Sequence, residues 1–371
     1  MSSESKPGPA GENSRRNFLQ KIGTLAAASS VAATASAAQQ PPVPGAAAPG
    51  RGAPGRGPGR DSQPVPGELS KQPMPMVSFG GKMISRLIVG SNVVAGLSHL
   101  SAMIDVEIRA WNTTERLAQN FKHCEELGIN CMEDGSQRIP PYNEKNGGNM
   151  LFTTRGSATE NGTFGAGRSP AAIAKSGALA IHHGGAGETG TDAWWRQGKL
   201  SKVRDWCKAM KDGGNTVAVT SHRPEVFDII ESENWGKDVD YYMCCLYKYG
   251  RTPAEWEKAY AFNPGLAPAE VIYWGKGSPN YGDGSLFVRG DPPEMLKIVK
   301  QTKKPCFVYK LMASGRLCEK PSWVESIFKD VFASIKSTDA VVVGMWDKHL
   351  DQFAINKEYV IKYGGSSIRV S

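Results

Sequence analysis

Beyond residue 38 the chain has no run of the roughly 18 uninterrupted apolar residues that a spanning helix needs, which excludes a stable membrane span in the mature form. Metal-site spacing is missing too. The seven cysteines, Cys124, Cys131, Cys207, Cys244, Cys245, Cys306 and Cys318, are odd in number and none pairs as C-x-x-C, so neither a disulfide framework nor a zinc ribbon is indicated. Within their apolar surroundings they read as small hydrophobes. No H-E-x-x-H, no H-x-H on the first strand and no G-x-G-x-x-G after it is present, and no motif surrounds a serine or cysteine nucleophile. The net charge of +8 is also less than it looks. Up to residue 67, seven basic residues face three acidic ones, so half the excess lies there and the remainder does not argue for a nucleic-acid partner.

What is present begins at the N-terminus. Ser14-Arg15-Arg16-Asn17-Phe18-Leu19-Gln20-Lys21 precedes a mildly apolar run, Ile22 to Ala38, which ends in the small residues Ala35-Ser36-Ala37. This resembles a twin-arginine export signal. The resemblance implies passage through the twin-arginine export machinery already folded, and a periplasmic or extracellular location. Residues 1–38 are thus expected to be a signal peptide. Residues 39–75, with Pro-Pro-Val-Pro-Gly and repeated Arg-Gly and Pro-Gly pairs, read as a disordered tether ahead of a domain at 76–371.

In that domain, eight short apolar runs alternate with amphipathic stretches. The runs are Arg86 to Gly90, Ile129 to Met132, Met150 to Thr154, Ala178 to Ile181, Thr216 to Thr220, Val239 to Leu246, Cys306 to Tyr309 and Ala340 to Gly344. Helical stretches fit between most of them, at 114–127, 169–175, 200–211, 224–233, 293–301 and 323–335, with another after the last at 350–361. Proline in the first turn at Pro170 and Pro224 supports two of the starts. Eight parallel strands with helical crossovers close most economically into a (β/α)8 TIM barrel; an open doubly wound sheet is the alternative.

Reacting groups in such a barrel sit at the C-terminal ends of the strands. There the chain carries Glu133 and Asp134, Arg155, His182 and His183, His222, Lys310 and Asp347. Of the six histidines only His123 falls on a predicted helix; His99 and His349 join the others on the same predicted face, which points to a polar, titratable site.

Several segments resemble the aldo/keto reductase superfamily. They are Phe79 to Gly90, Glu126-Leu127-Gly128-Ile129-Asn130 followed by Asp134, Ala180-Ile181-His182, Gln197-Gly198-Lys199 through Val217 to Ser221, and Tyr309 through Leu317. The resemblance implies hydride transfer to a carbonyl on a small polar or carbohydrate-like substrate, with tightly held NADP. Carried over by position, the catalytic set is Asp134, Tyr142, Arg155 (where the family has lysine), His182 or His183, and Lys310. The nucleotide would be held by Ser221, Ser314, Gly315, Arg316, Gly344 and Lys348.

Two other readings stand beside it. Glu133, His183 and His222 are mixed carboxylate and imidazole ligands for a divalent metal, which suits a sugar isomerase or a hydrolase. The third reading is a catalytically inactive barrel kept as a binding protein. Trp194, Trp195, Trp235, Trp256, Trp274 and Trp346 are candidates for a sugar-stacking rim, with ordinary packing as the other reading, and residues 251–291 are long enough to form a lid.

Overall fold

The computed structural model describes residues 70–164, 168–249, 251, 255, 271–275 and 285–365. The segment read as a signal peptide and residues 39–69 of the segment read as a tether lie outside them, as does most of the segment read as a lid. The strands are β1 (Met76–Phe79), β2 (Lys82–Ser85), β3 (Leu87–Val89), β4 (Cys131–Met132), β5 (Leu151–Gly156), β6 (Ala180–His183), β7 (Val217–Ser221), β8 (Tyr241–Cys245), β9 (Val271–Gly275), β10 (Ser285–Val288), β11 (Cys306–Tyr309) and β12 (Ala340–Val343). The helices are α1 (Ser91–Val94), α2 (Ala102–Trp111), α3 (Thr114–Glu126), α4 (Ile139–Asn146), α5 (Pro170–Lys175), α6 (Thr191–Arg196), α7 (Ser201–Asp212), α8 (Pro224–Ser232), α9 (Asp291–Gln301), α10 (Pro321–Ser334) and α11 (Gln352–Tyr363).

Eight parallel strands close in the order β3-β4-β5-β6-β7-β8-β11-β12, and β12 pairs back onto β3. This is a (β/α)8 TIM barrel. Each of the eight apolar runs became one barrel strand, because a strand covered on both faces needs a continuous apolar stretch. Local chemistry starts the helices: the Thr113 and Ser169 hydroxyls accept from the backbone N–H groups of Arg116 (3.2 Å) and Ala172 (3.3 Å). The buried positions of α3, Leu117, Asn120, Phe121 and Cys124, recur at the spacing that turns one face to the barrel.

Strand alternation divides the interior into two layers. Ile88, Cys131, Ala180, Ala218, Tyr241, Met243, Phe307, Ala340 and Val342 share one cluster inside the barrel, while Val89, Met132, Ile181, Val219, Cys244, Val308 and Val343 belong to the layer under the helices. The antiparallel hairpin β1–β2 plugs the inner layer. Phe79 meets the rings of Tyr241 and Phe307 at centroid distances of 4.8 and 4.7 Å. Ahead of residue 76, Met74 is buried in the outer core and the Ser70 N–H donates to Glu358 (3.1 Å). All seven cysteines are free thiols, and six are buried. Among the described residues no helix is long and apolar enough to cross a membrane.

Candidate active site

A cavity of about 360 Å³ opens at the C-terminal ends of the barrel strands. Its lining includes Glu133, Arg155, His182, Thr220, His222, Tyr249, Tyr309 and Lys310, contributed by β4 through β8 and β11 or the residues that follow them. Of the six non-glycine residues with positive φ among those described, His99, Asp134, Lys310, Ala313 and Ser314 lie in the segments that follow the barrel strands at this end. Backbone held in that sparsely populated region is commonest at functional sites.

Two histidine–carboxylate pairs face the cavity. In the first, Asp192 on α6 accepts from His222 Nδ1 at 2.6 Å, and its other oxygen accepts from the Ser221 hydroxyl at 2.6 Å. A carboxylate only accepts, so the proton sits on Nδ1 and Nε2 is left as the basic nitrogen. The Tyr309 hydroxyl donates to that Nε2 at 3.2 Å. Burial first, then the neighbouring Cys245, Asp192 and Tyr249, pushes the Tyr309 phenol well above its ordinary pKa, so it stays protonated. His222 also stacks on Tyr249, centroids 4.4 Å apart and planes 11° from parallel. Gly185 passes close by; a β-carbon there would lie 3.1 Å from His222 Cε1, so glycine is what lets the backbone run past the imidazole.

In the second pair, His182 Nε2 lies 3.3 Å from Glu133 Oε1, while Ser91 donates to Oε2 from its hydroxyl (2.6 Å) and its N–H (3.2 Å). Burial alone would raise the Glu133 carboxyl; the contacts with His182 and Ser91 outweigh it and hold the pKa down at about 2. Lys310 brings a positive charge to the same cavity. Its ammonium lies 3.2 Å from the Ser314 hydroxyl and 5.0 Å from the Tyr249 ring centroid, with no carboxylate in ion-pair range among the described residues. That charge, then burial, holds the His99 imidazole down at about 3 and therefore neutral.

The other sequence-predicted residues disperse. His183 is turned to the outer layer: Nε2 accepts from the Ala158 N–H at 2.8 Å and Nδ1 donates to Thr191 Oγ1 at 2.8 Å. Both of its nitrogens are thereby engaged, and it does not fit a metal-ligand role beside Glu133 and His222. Among the described residues no group of three His, Cys, Asp or Glu side chains is arranged to hold a metal ion. Tyr142 is on α4 rather than in a loop, and its hydroxyl donates to Glu125 at 2.5 Å, outside the cavity lining. Asp134 braces Arg155 at the rim (3.2 Å).

The residues matched to a nucleotide site divide as well. Ser314, Gly315 and Gly344 line the cavity, but the Ser221 hydroxyl is taken by Asp192. Arg316 holds the carbonyl oxygens of His99, Ala313 and Ser314, and Lys348 pairs with Glu107. Both cations thus have partners within the protein. Asp347 is tied to Trp111, Arg116 and Asn120, and His349 is exposed. Of the six tryptophans considered for a rim, Trp346 lines the cavity, while Trp194 and Trp235 are core residues. Trp256, and the Trp274 side chain, lie outside the described residues.

Ser91, Asp192, Thr220, Tyr249 and Tyr309 were not singled out by sequence. For Thr220 and Tyr309 the signal was strand parity, since each lies two residues beyond an inward-facing neighbour, Ala218 and Phe307. Asp192 lies nine residues after the end of β6 with no motif around it.

No family model matches the chain, and no curated protein matches it. Solved structures that resemble it include a truncated 3-deoxy-D-arabino-heptulosonate 7-phosphate synthase from Thermotoga maritima, at 13% identity over 81% of this chain and 98% of that one, TM-score 0.42. Another is dihydropteroate synthase from Xanthomonas albilineans in complex with 7,8-dihydropteroate, at 12% identity over 78% and 97%, TM-score 0.39. Likeness at that level says nothing of chemistry.

Proposed function

We propose that this chain is an acid–base enzyme acting on a small carbonyl or hydroxyl compound, with His222 and Tyr309 moving the proton and Asp192 orienting His222. The observation that carries the reading is the hydrogen-bonded series from Asp192 to His222 (2.6 Å) to Tyr309 (3.2 Å), which ends in the cavity. Asp192 fixes the tautomer and supports the imidazolium that forms. As the bond to hydrogen at the carbon beside the carbonyl breaks, its electron pair moves onto the carbonyl oxygen. Tyr309 takes the proton while passing its own to His222 Nε2, so a free phenolate never accumulates. The Lys310 ammonium meets the negative charge on oxygen. Return of the proton completes an enolisation, the step shared by isomerases and lyases of carbonyl compounds. Hydride transfer to a carbonyl would use the same relay as a proton donor; proton transfer alone is favoured because Arg316 and Lys348 are already committed.

The test is exchange of the hydrogen beside the carbonyl into deuterated solvent, followed by NMR for a panel of small 2-oxo acids and hydroxyketones. Wild type should catalyse exchange of at least one compound, and His222→Gln and Tyr309→Phe should each slow it by about 100-fold or more. Exchange unaffected by both substitutions, or absent across the panel, contradicts the reading.

We further propose that the protein works outside the cytoplasm. Arg15-Arg16 with the following Phe18-Leu19 and Lys21 supports this. Replacing both arginines by lysine should hold folded precursor in the cytoplasm, and unchanged export would contradict it.

A further inference from the structure

Part of the cavity wall is apolar, and polar bonds hold it in place. Residues 91–111, between β3 and α3, fold as a strap over one side of the cavity and present Leu97, Leu100, Ile104 and Ile108 to it. Leu97 and Leu100 remain 46% and 38% exposed, which is costly for large apolar side chains unless something covers them in use. They are held there by polar braces. Asp105 accepts from the Ser98 N–H (2.6 Å) and hydroxyl (2.5 Å), Arg109 donates to the Gly96 carbonyl (3.0 Å), and Asn112 donates to the Val93 carbonyl (2.9 Å). Arg316 adds a bond to the His99 carbonyl. Gly96 has φ of +77°, and a β-carbon there would lie 2.1 Å from Arg109 Cγ, so the braced turn needs glycine.

The same cavity carries polar groups with open valences. Among the described residues His182 Nδ1, Thr220 Oγ1, Tyr249 Oη and Trp346 Nε1 are buried without a hydrogen-bond partner, and all four residues line this cavity. Buried polar atoms are seldom left so, and a cluster of them at one cavity calls for a ligand that supplies the missing partners. Beside them stands Lys310, with only a hydroxyl within bonding distance.

We infer that the substrate is an apolar-tailed carboxylate, an aryl or branched-chain 2-oxo acid, with its acid group on Lys310 and its side chain against Leu97, Leu100 and Ile104. This rests on the proton-transfer reading and sets aside a carbohydrate, whose hydroxyls would find no partners on Leu97, Leu100, Ile104 and Ile108. In a 2-oxo acid the carboxylate and the neighbouring carbonyl oxygen lie close enough together for one ammonium to serve both. The carbon that loses its proton then falls between the Lys310 subsite and the apolar wall.

Calorimetric titration of the full chain with three unreactive probes tests this: 3-phenylpropanoate, 3-phenylpropan-1-ol and gluconate. The aryl acid should bind about tenfold or more tightly than either of the others. Lys310→Gln should bring the acid down to the level of the alcohol. The Leu97→Ser, Leu100→Ser double variant changes two partly exposed positions, and it should weaken both aryl probes while leaving gluconate unchanged. Equal or tighter binding of gluconate, no loss in either variant, or no binding by any probe overturns the inference. Because the probes cannot react, the two readings fail separately. Aryl preference without deuterium exchange would sink the proton transfer alone, and exchange without aryl preference would sink only the substrate class.

Discussion

His182 and His183 are neighbours in the chain with opposite environments, because consecutive side chains of a strand leave on opposite faces. His182 falls in step with Ala180 and reaches the cavity, whereas His183 joins the layer beneath the helices, against the edge of Trp206 at 5.1 Å. Burial holds the His183 imidazole down at about 3, and its Nε2 must stay unprotonated to accept from Ala158. The consequence for stability has a definite sign. Between its unfolded value of about 6.5 and about 3, the unfolded chain carries a proton at this residue that the folded one refuses, so stability falls as the pH drops. One such group contributes a slope of about 1.4 kcal/mol per pH unit. His183→Asn should therefore flatten the acid limb of a stability–pH profile by roughly one proton, measured by denaturant unfolding across that range; an unchanged slope would show that His183 does not titrate this way. His99, held down chiefly by Lys310, should keep its share of the slope in that variant.

The same parity explains how much of the site was legible from sequence. Glu133, His182, His222 and Lys310 were found because they follow apolar runs at the strand ends, where a barrel places its chemistry. His183 and Tyr142 were candidates for the same positional reason, and position alone does not say which way a side chain turns. Tyr309 and Thr220 were hidden because they sit inside strands among apolar residues, where a hydroxyl reads as part of the core. Asp192 was hidden differently: its partner His222 is 30 residues away, and the parallel pairing of β6 with β7 brings the segments that follow them together.

At the scale of elements, the barrel strands and seven of the helices follow from periodicity, with boundaries shifted by a few residues. What periodicity missed is short or locally ambiguous. Helix α4 begins Ile139-Pro140-Pro141, which reads as a loop, yet proline is tolerated in a first turn and Tyr142 and Ile139 bury against the core. Helix α2 was missed because Met103 and Val106 are exposed on it, so its apolar residues do not mark one buried face. That departure from an ordinary amphipathic pattern is the strap's own signature. The β1–β2 hairpin closes the opposite end of the barrel, where burying Phe79 contributes about 1.5–3 kcal/mol. Plug and strap thus divide the labour: one seals the N-terminal end of the barrel, the other shapes the cavity at the C-terminal end.

For the whole molecule, eight runs in sequence became eight strands in a closed order, which covers both faces of every short parallel strand and leaves none at an edge. A closed barrel leaves one mouth for chemistry, and here that mouth holds two histidine–carboxylate pairs, a lysine and an apolar wall. The account depends most on which nitrogen of His222 is free to act as base. Long-range 1H–15N NMR of the histidine rings at mildly alkaline pH, with His222 assigned through His222→Gln, reads this directly. The relay predicts a proton on His222 Nδ1 and a bare Nε2, with that preference lost in Asp192→Asn; a resting His222 that carries its proton on Nε2 and leaves Nδ1 bare would contradict it.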